Sequence, residues 1–255
     1  MKRNVSLLII AIVALLNIQT VKSQNKELSV KLTDPAKAGK LSIELFVGSI
    51  KIVAYAGKDV IVSGDGPYLP GKAGQNPVRD STKKLSDFIS QDNNLVRIKV
   101  EKFDIMNLVI KVPRNFSLVL KTQAQGNIDV ENVNGDQEIS VVSGNITLFN
   151  IGGSVSVNNT TGTIKVDMNA VNMNAHLVLS SVMGTITLKL PSDQKANVKL
   201  QSDFAAIHSD FDIDEGSADQ KPKSIIHRTI GKINGGGTEI YVKSVGGDIY
   251  LKKKK

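Results

Sequence analysis

Asp129 and Glu131 stand two residues apart in a stretch of alternating polarity, so a strand there carries both carboxylates on one side. A pair of that kind can serve general acid and base chemistry on a glycosidic bond. Asp210, Asp212, Asp214 and Glu215 crowd a polar segment that could hold a cation. Each group has a plainer reading, a solvated strand face and a solvated loop, and charged residues normally occupy such places. His176, His208 and His227 are scattered and share no metal-ligand spacing. His208 alternates with Ile207 and is expected to face solvent. There is no Cys, which excludes a thiolate metal site, a cysteine nucleophile, a disulfide framework and a lipidated cysteine. Neither a G-x-S-x-G elbow nor a G-x-G-x-x-G loop is present. No catalytic residue, metal site or cofactor is therefore expected.

The elements that would position any site follow from a glycine ladder. Gly126, Gly135, Gly144, Gly153 and Gly162 fall nine residues apart. The third position of each unit is Ile128, Gln137, Ile146, Val155 or Ile164, and the fifth is Val130, Ile139, Leu148, Val157 or Val166. The positions between are mostly Asn, Asp, Ser, Thr or Lys. Each unit reads as a short strand with one apolar face, then a turn. Nine residues cannot bury that face alone, but stacked units align it into columns. The same pentad recurs at Gly48–Ile52, Gly184–Leu188 and Gly247–Leu251. A larger echo relates Leu108–Pro113, followed by Ser117–Lys121, to Ile186–Pro191, followed by Asn197–Gln201. The expected fold is all-β, a single-chain β-solenoid of short stacked strands with period-nine glycine turns. A calcium-binding nonapeptide ladder needs a carboxylate in every unit. Here the sixth position is Glu131, Ser140, Phe149, Asn158 and Asp167, which does not supply one.

Residues 1–23 read as a removed signal peptide, with Lys2 and Arg3 before the apolar run Val5–Leu16 and small residues at Val21 and Ser23. The run is too short to span a bilayer. Residues 24–107 then hold N-terminal strands and a polar loop, with Leu28–Leu32, Leu41–Phe46, Ser49–Ala54 and Asp59–Ser63 as strands. Residues 65–94 are expected to be a long loop with a short helix at Ser81–Ser90. Residues 108–255 form the strand-repeat solenoid, interrupted by a polar loop at 211–224. Gly231–Leu251 is expected to be a closing hairpin, and the four terminal lysines to guard a sheet edge. The net charge of +8 is concentrated at the ends: without residues 1–23 and 252–255 there are 25 basic and 24 acidic residues. A nucleic-acid partner is not expected, since no basic stripe with interleaved aromatics occurs. Four Tyr, seven Phe and no Trp cannot build the aromatic girdles of a transmembrane β-barrel.

The ladder, the strand LVIKVP and the closing segment GKINGGGTEIYVKSVGGDIYLKK resemble the bacterial β-strand-repeat "putative adhesin" family, a domain-of-unknown-function group of envelope proteins. The resemblance covers about residues 40–253 and is densest at 108–190 and 231–253. It implies an exported solenoid of short strands with no known catalysis. Members often anchor through a lipidated Cys or a membrane helix, and this chain has neither once the signal is removed. The expected function is that of a non-enzymatic exported adhesin or cell-envelope interaction protein, in the periplasm, on the cell surface or secreted, with a glycan or an envelope protein as partner. The candidate contact residues on its polar faces are Asn145, Asn158 and Asn159. The alternatives are a parallel-β-helix enzyme acting on polysaccharide, and a structural or sensory periplasmic component.

Overall fold

A computed structural model describes residues 27–100, 104–169, 174–216 and 227–254. The signal-peptide reading falls outside them, as does most of the 211–224 loop. The strands are β1 (Leu28–Val30), β2 (Lys40–Val47), β3 (Ile50–Tyr55), β4 (Val60–Leu69), β5 (Val78–Arg79), β6 (Ile89–Asp92), β7 (Leu95–Lys99), β8 (Ile105–Pro113), β9 (Ser117–Gln125) and β10 (Ile128–Glu131). There follow β11 (Gln137–Ser143), β12 (Ile146–Ile151), β13 (Val155–Thr161), β14 (Ile164–Met168), β15 (His176–Met183) and β16 (Ile186–Leu190). The last are β17 (Ala196–Ser202), β18 (Ile207–Ser209), β19 (His227–Ile233), β20 (Thr238–Ser244) and β21 (Ile249–Lys253).

Two parallel stacks result. In the first, β8, β3, β10, β12, β14, β16, β21 and β18 lie side by side in that order. In the second the order is β7, β2, β9, β11, β13, β15, β20 and β17. One strand from each stack makes a coil. Equivalent residues of the central coils are 18 apart, as in Ile128, Ile146 and Ile164. The nine-residue glycine period is thus half a coil, and its two phases mark opposite corners. Inward residues of both stacks form one apolar cluster, in which Ile146, Leu148, Val157, Ile164 and Leu188 are all buried. Fully burying a side chain of this kind contributes about 1.5–3 kcal/mol. β-Branched residues dominate because they suit a pleated surface packed on one side.

Gly162 shows why the corner needs glycine. Its φ is +122°, and a Cβ there would lie 2.2 Å from the carbonyl oxygen of Gly144, one coil below. A side chain would be strained and would also collide with backbone. The same stacking relates Gly144 to Gly126 and Gly184 to Gly162.

The order of coils departs from the order of the chain at both ends. β2 and β3, the first coil in sequence, sit between β9–β10 and β7–β8. β20 and β21, the last, sit between β15–β16 and β17–β18. The expected closing hairpin is therefore incorrect. β20 and β21 enter different stacks, each with parallel neighbours, because their inward residues (Ile240, Val242, Ile249, Leu251) match the columns rather than each other. The terminal lysines likewise do not guard an edge, since β21 is flanked by β16 and β18. Antiparallel strands cover three of the four stack ends instead, β4 on β8, β6 on β7 and β19 on β17, while β18 pairs only with β21 among the described residues. Capping of this kind limits edge-to-edge pairing. The polar stretch 65–94 is shorter as a loop than expected. β4 runs on to Leu69, β5 and β6 follow, and the helix is one 3₁₀ turn at Leu85–Phe88. The Leu108–Pro113 and Ile186–Pro191 echo is real in space, because β8–β9 and β16–β17 make the same step from the first stack to the second.

Candidate ligand-contact face

The three candidate asparagines lie in three different environments. Asn145 follows a corner glycine. Its Oδ1 accepts from the backbone N and the Oγ1 of Thr163, both at 2.9 Å, while its own N donates to Asn127 Oδ1 at 2.9 Å. One coil's side chain thus holds the next coil's backbone, in a ladder that begins with Asn107 Oδ1 accepting from Ser49 N. Asn158 is exposed on the outer face of the second stack, in register with Ser140 and Ser180. Asn159, its neighbour, points inward and is 4% exposed, and its Nδ2 donates to Gly144 O at 3.0 Å. Further down the same column Ser244 Oγ donates to Gly184 O at 3.3 Å and Ser202 Oγ to Gly247 O at 3.2 Å. These three side chains satisfy carbonyls at the glycine corner, whereas Ser181, between Asn159 and Ser244 in the same column, has no partner for its Oγ. The structure does not bring the three asparagines together on one surface.

The acidic candidates are also placed. Glu131 pairs with Lys51 at 3.1 Å on the outer face of the first stack, where Asp129 shares the face. Asp210 pairs with Lys252 at 3.1 Å. The Lys252 hydrogen bond, the backbone N of Lys253 and both positive charges hold the Asp210 carboxyl below the usual aspartate range, outweighing a smaller opposing effect of desolvation. Asp214 Oδ1 accepts from Gly216 N at 3.0 Å, as in an Asx turn. Among the described residues there is no group of three or more His, Cys, Asp or Glu placed to hold a metal ion.

Sequence reasoning missed a second cluster, on the outer face of the first stack toward its C-terminal end. Lys165 of β14, Lys189 of β16 and Lys252 of β21 come together there, with Asp167 in register beside Lys189. Lys254 reaches Asp167 at 2.7 Å. Phe149 of β12 lies in register with Asp167 and is 51% exposed. Tyr250 stacks on His208, with centroids 4.6 Å apart and planes at 12°, and Lys252 Nζ lies 5.5 Å from the Tyr250 ring centre. A shallow groove of about 160 Å³ along Phe149, Lys165 and Thr187 adjoins a wider depression of about 690 Å³. Asp167, Thr187 and Lys189 line both. No repeat position marks these lysines, because Lys165 is in register with Thr187 and Lys189 with Asp167.

A further depression of about 840 Å³ lies on the second stack, where Asp136, Glu138, Ser156 and His176 meet Lys40. It is wide and lacks a converging set of like groups. No helix among the described residues is long and apolar enough to cross a membrane.

Two solved structures are similar to this chain. One is titled a "putative cell adhesion protein" from Clostridium sporogenes, at 14% identity and a TM-score of 0.42, covering 90% of this chain and 99% of that one. The other is titled a "putative adhesin" from Bacteroides fragilis, at 15% identity and a TM-score of 0.40, covering 88% and 95%. No curated protein matches the sequence. The family model described as Toastrack DUF4097 matches residues 12–252. An all-β chain of glycine-cornered coils, matched along nearly its whole length, belongs to the Toastrack DUF4097 family.

Proposed function

We propose that the chain is exported, with residues 1–23 as a removed signal, and acts as a non-enzymatic interaction protein of the cell envelope or exterior. One observation carries the reading. Outward side chains repeat coil by coil in straight rows, such as Lys121, Ser140, Asn158, Ser180 and Lys243 along the second stack. Rows spaced by the strand separation, about 4.8 Å, form a stiff flat surface suited to a repeating partner such as a glycan. Asn158 has its amide free on that surface, and it is the asparagine of the three that we assign to contact.

The test is a glycan array and an envelope-fraction pull-down with the protein beside Asn158→Ala, together with N-terminal sequencing of the protein recovered from cells. Saturable capture and a start at Gln24 are expected. Capture of nothing in either format, or retention of Met1 in the cytoplasm, overturns the reading. Capture of an envelope protein alone moves it toward a structural or sensory component.

A second reading, an enzyme acting on polysaccharide, draws on the convergence of Asp167, Asp210, Lys189, Tyr250 and His208 on adjacent coils. Its weakness is that both carboxylates are tied into ion pairs. Asp210, held ionised by Lys252, is a poor proton donor near neutral pH. Release of reducing ends from a polysaccharide would establish it.

A further inference from the structure

We propose that the lysine-rich end of the first stack binds an acidic polysaccharide, a glycan carrying carboxylates, laid across β12, β14, β16 and β21. This deepens the interaction reading above and rests on it.

Charge carries the first part. Five lysines and two aspartates line the two joined grooves. Each aspartate already has its own lysine, Asp167 with Lys254 and Asp210 with Lys252. Lys165 and Lys189 have neither an ion pair nor a hydrogen bond in the structure, and both are exposed. Lys189 stands in register between Asp167 and Lys252, and both of those are engaged elsewhere, Asp167 by Lys254 and Lys252 by Asp210. The ammonium groups of Lys165 and Lys189 are thus the uncompensated charges of this face, and they favour a negatively charged occupant. The excess is local, since outside the signal and the terminal lysines the chain is almost neutral.

Chemistry other than charge selects among anions. Exposed Phe149 lies on one side of the lysines and the Tyr250–His208 stack on the other, and aromatic side chains offer apolar surface to the C–H side of a sugar ring. Thr147 and Thr187 flank Lys165 in its row and line the narrower groove with hydroxyls, and a hydroxyl both donates and accepts. The two aspartates would repel a densely charged polyphosphate, but they can accept hydrogen bonds from sugar hydroxyls. A polyuronate, with carboxylates separated by neutral hydroxyls, fits this mixture better than a nucleic acid or a lipid surface does.

The probe is polygalacturonate, with dextran as its neutral counterpart. Single-stranded oligothymidylate and phosphatidylglycerol-containing vesicles serve as competing polyanions. Saturable binding to polygalacturonate, absent for dextran and weakened by added salt, is expected. Lys165→Gln with Lys189→Gln should raise Kd at least tenfold, and Phe149→Ala at least threefold. Lys72→Gln, in the β4–β5 connection at the other end of the stack, should leave Kd unchanged. All four side chains are exposed, so these variants keep the fold, which circular dichroism checks. Equal affinity for oligothymidylate or vesicles, with no effect of Phe149→Ala, overturns the proposal in favour of general polyanion attraction. Failure to bind polygalacturonate also overturns it. If the glycan array or pull-down still captures a partner in that case, the interaction reading stands without this site. If both fail, the two fall together.

Discussion

The middle of the molecule and its ends are built from the same strands in different ways. Between Gly126 and Met168 each coil lies on the coil that precedes it in sequence. At the ends the chain doubles back, and the terminal strand pairs β2–β3 and β20–β21 are each inserted between two others. A plain solenoid of quasi-independent repeats loses its end coils first, because each contacts neighbours on one side only. Here β2–β3 and β20–β21 are internal to the stack, and of the outermost strands β7, β8 and β17 are held by antiparallel caps. These inserted strand pairs should therefore be among the most constrained parts of the molecule.

The comparison can be broken most forcefully by removing a coil from each region. Deleting residues 144–161 takes out one 18-residue coil and brings Gly162 onto Gly126 with the register intact. This variant should still unfold cooperatively, with a modestly lower Tm. Truncation before Thr238 removes the same number of residues but leaves β15–β16 and β17–β18 facing an empty slot. It should abolish the cooperative transition, followed by circular dichroism on heating.

Within the middle region, Gly162→Ala combines a collision with the Gly144 carbonyl and a disfavoured φ. It should cost about 3 kcal/mol or more in chemical denaturation. Smaller and opposite effects are expected from two buried amides. Asn159→Ala strips Gly144 O of a donor and should destabilise by about 1–2 kcal/mol. Gln137 is 2% exposed, and neither of its amide atoms has a partner. Gln137→Leu should therefore stabilise, by about 1–2 kcal/mol, as a gain in denaturation midpoint.

The smallest effect concerns pH. Asp210 has its folded pKa lowered, mainly by the Lys252 hydrogen bond. A lowered carboxylate pKa contributes stability above the unfolded value, near 4, and loses it as pH falls through the folded value. Asp210 is exposed, so the effect of Asp210→Asn on the acid limb should be slight, and it should vanish in high salt.

Much of the middle region was legible. Alternation identified the strands because each has one face in the core, and the glycines marked corners because Cβ atoms do not fit there. The swapped ends were not legible, because the pentads at Gly48, Gly184 and Gly247 carry the same pattern and nothing local says which column position each will take. Asn159 was readable in part. Val155, Val157 and Asn159 keep the period of two, which places the amide inward while Asn158 faces out. The lysine face was hidden for another reason. Lys252–Lys254 look like a tail, and only the insertion of β21 beside β16 brings them to Lys165 and Lys189.

The most direct measurement is native-state hydrogen exchange across the whole chain. The inserted arrangement predicts that amides of β21 exchange as slowly as those of β12 and β14, although β21 ends at the penultimate pair of residues. Fast exchange in β20 and β21 together, with β15 and β16 still protected, would contradict it, because it would describe a stack that frays from its sequence end.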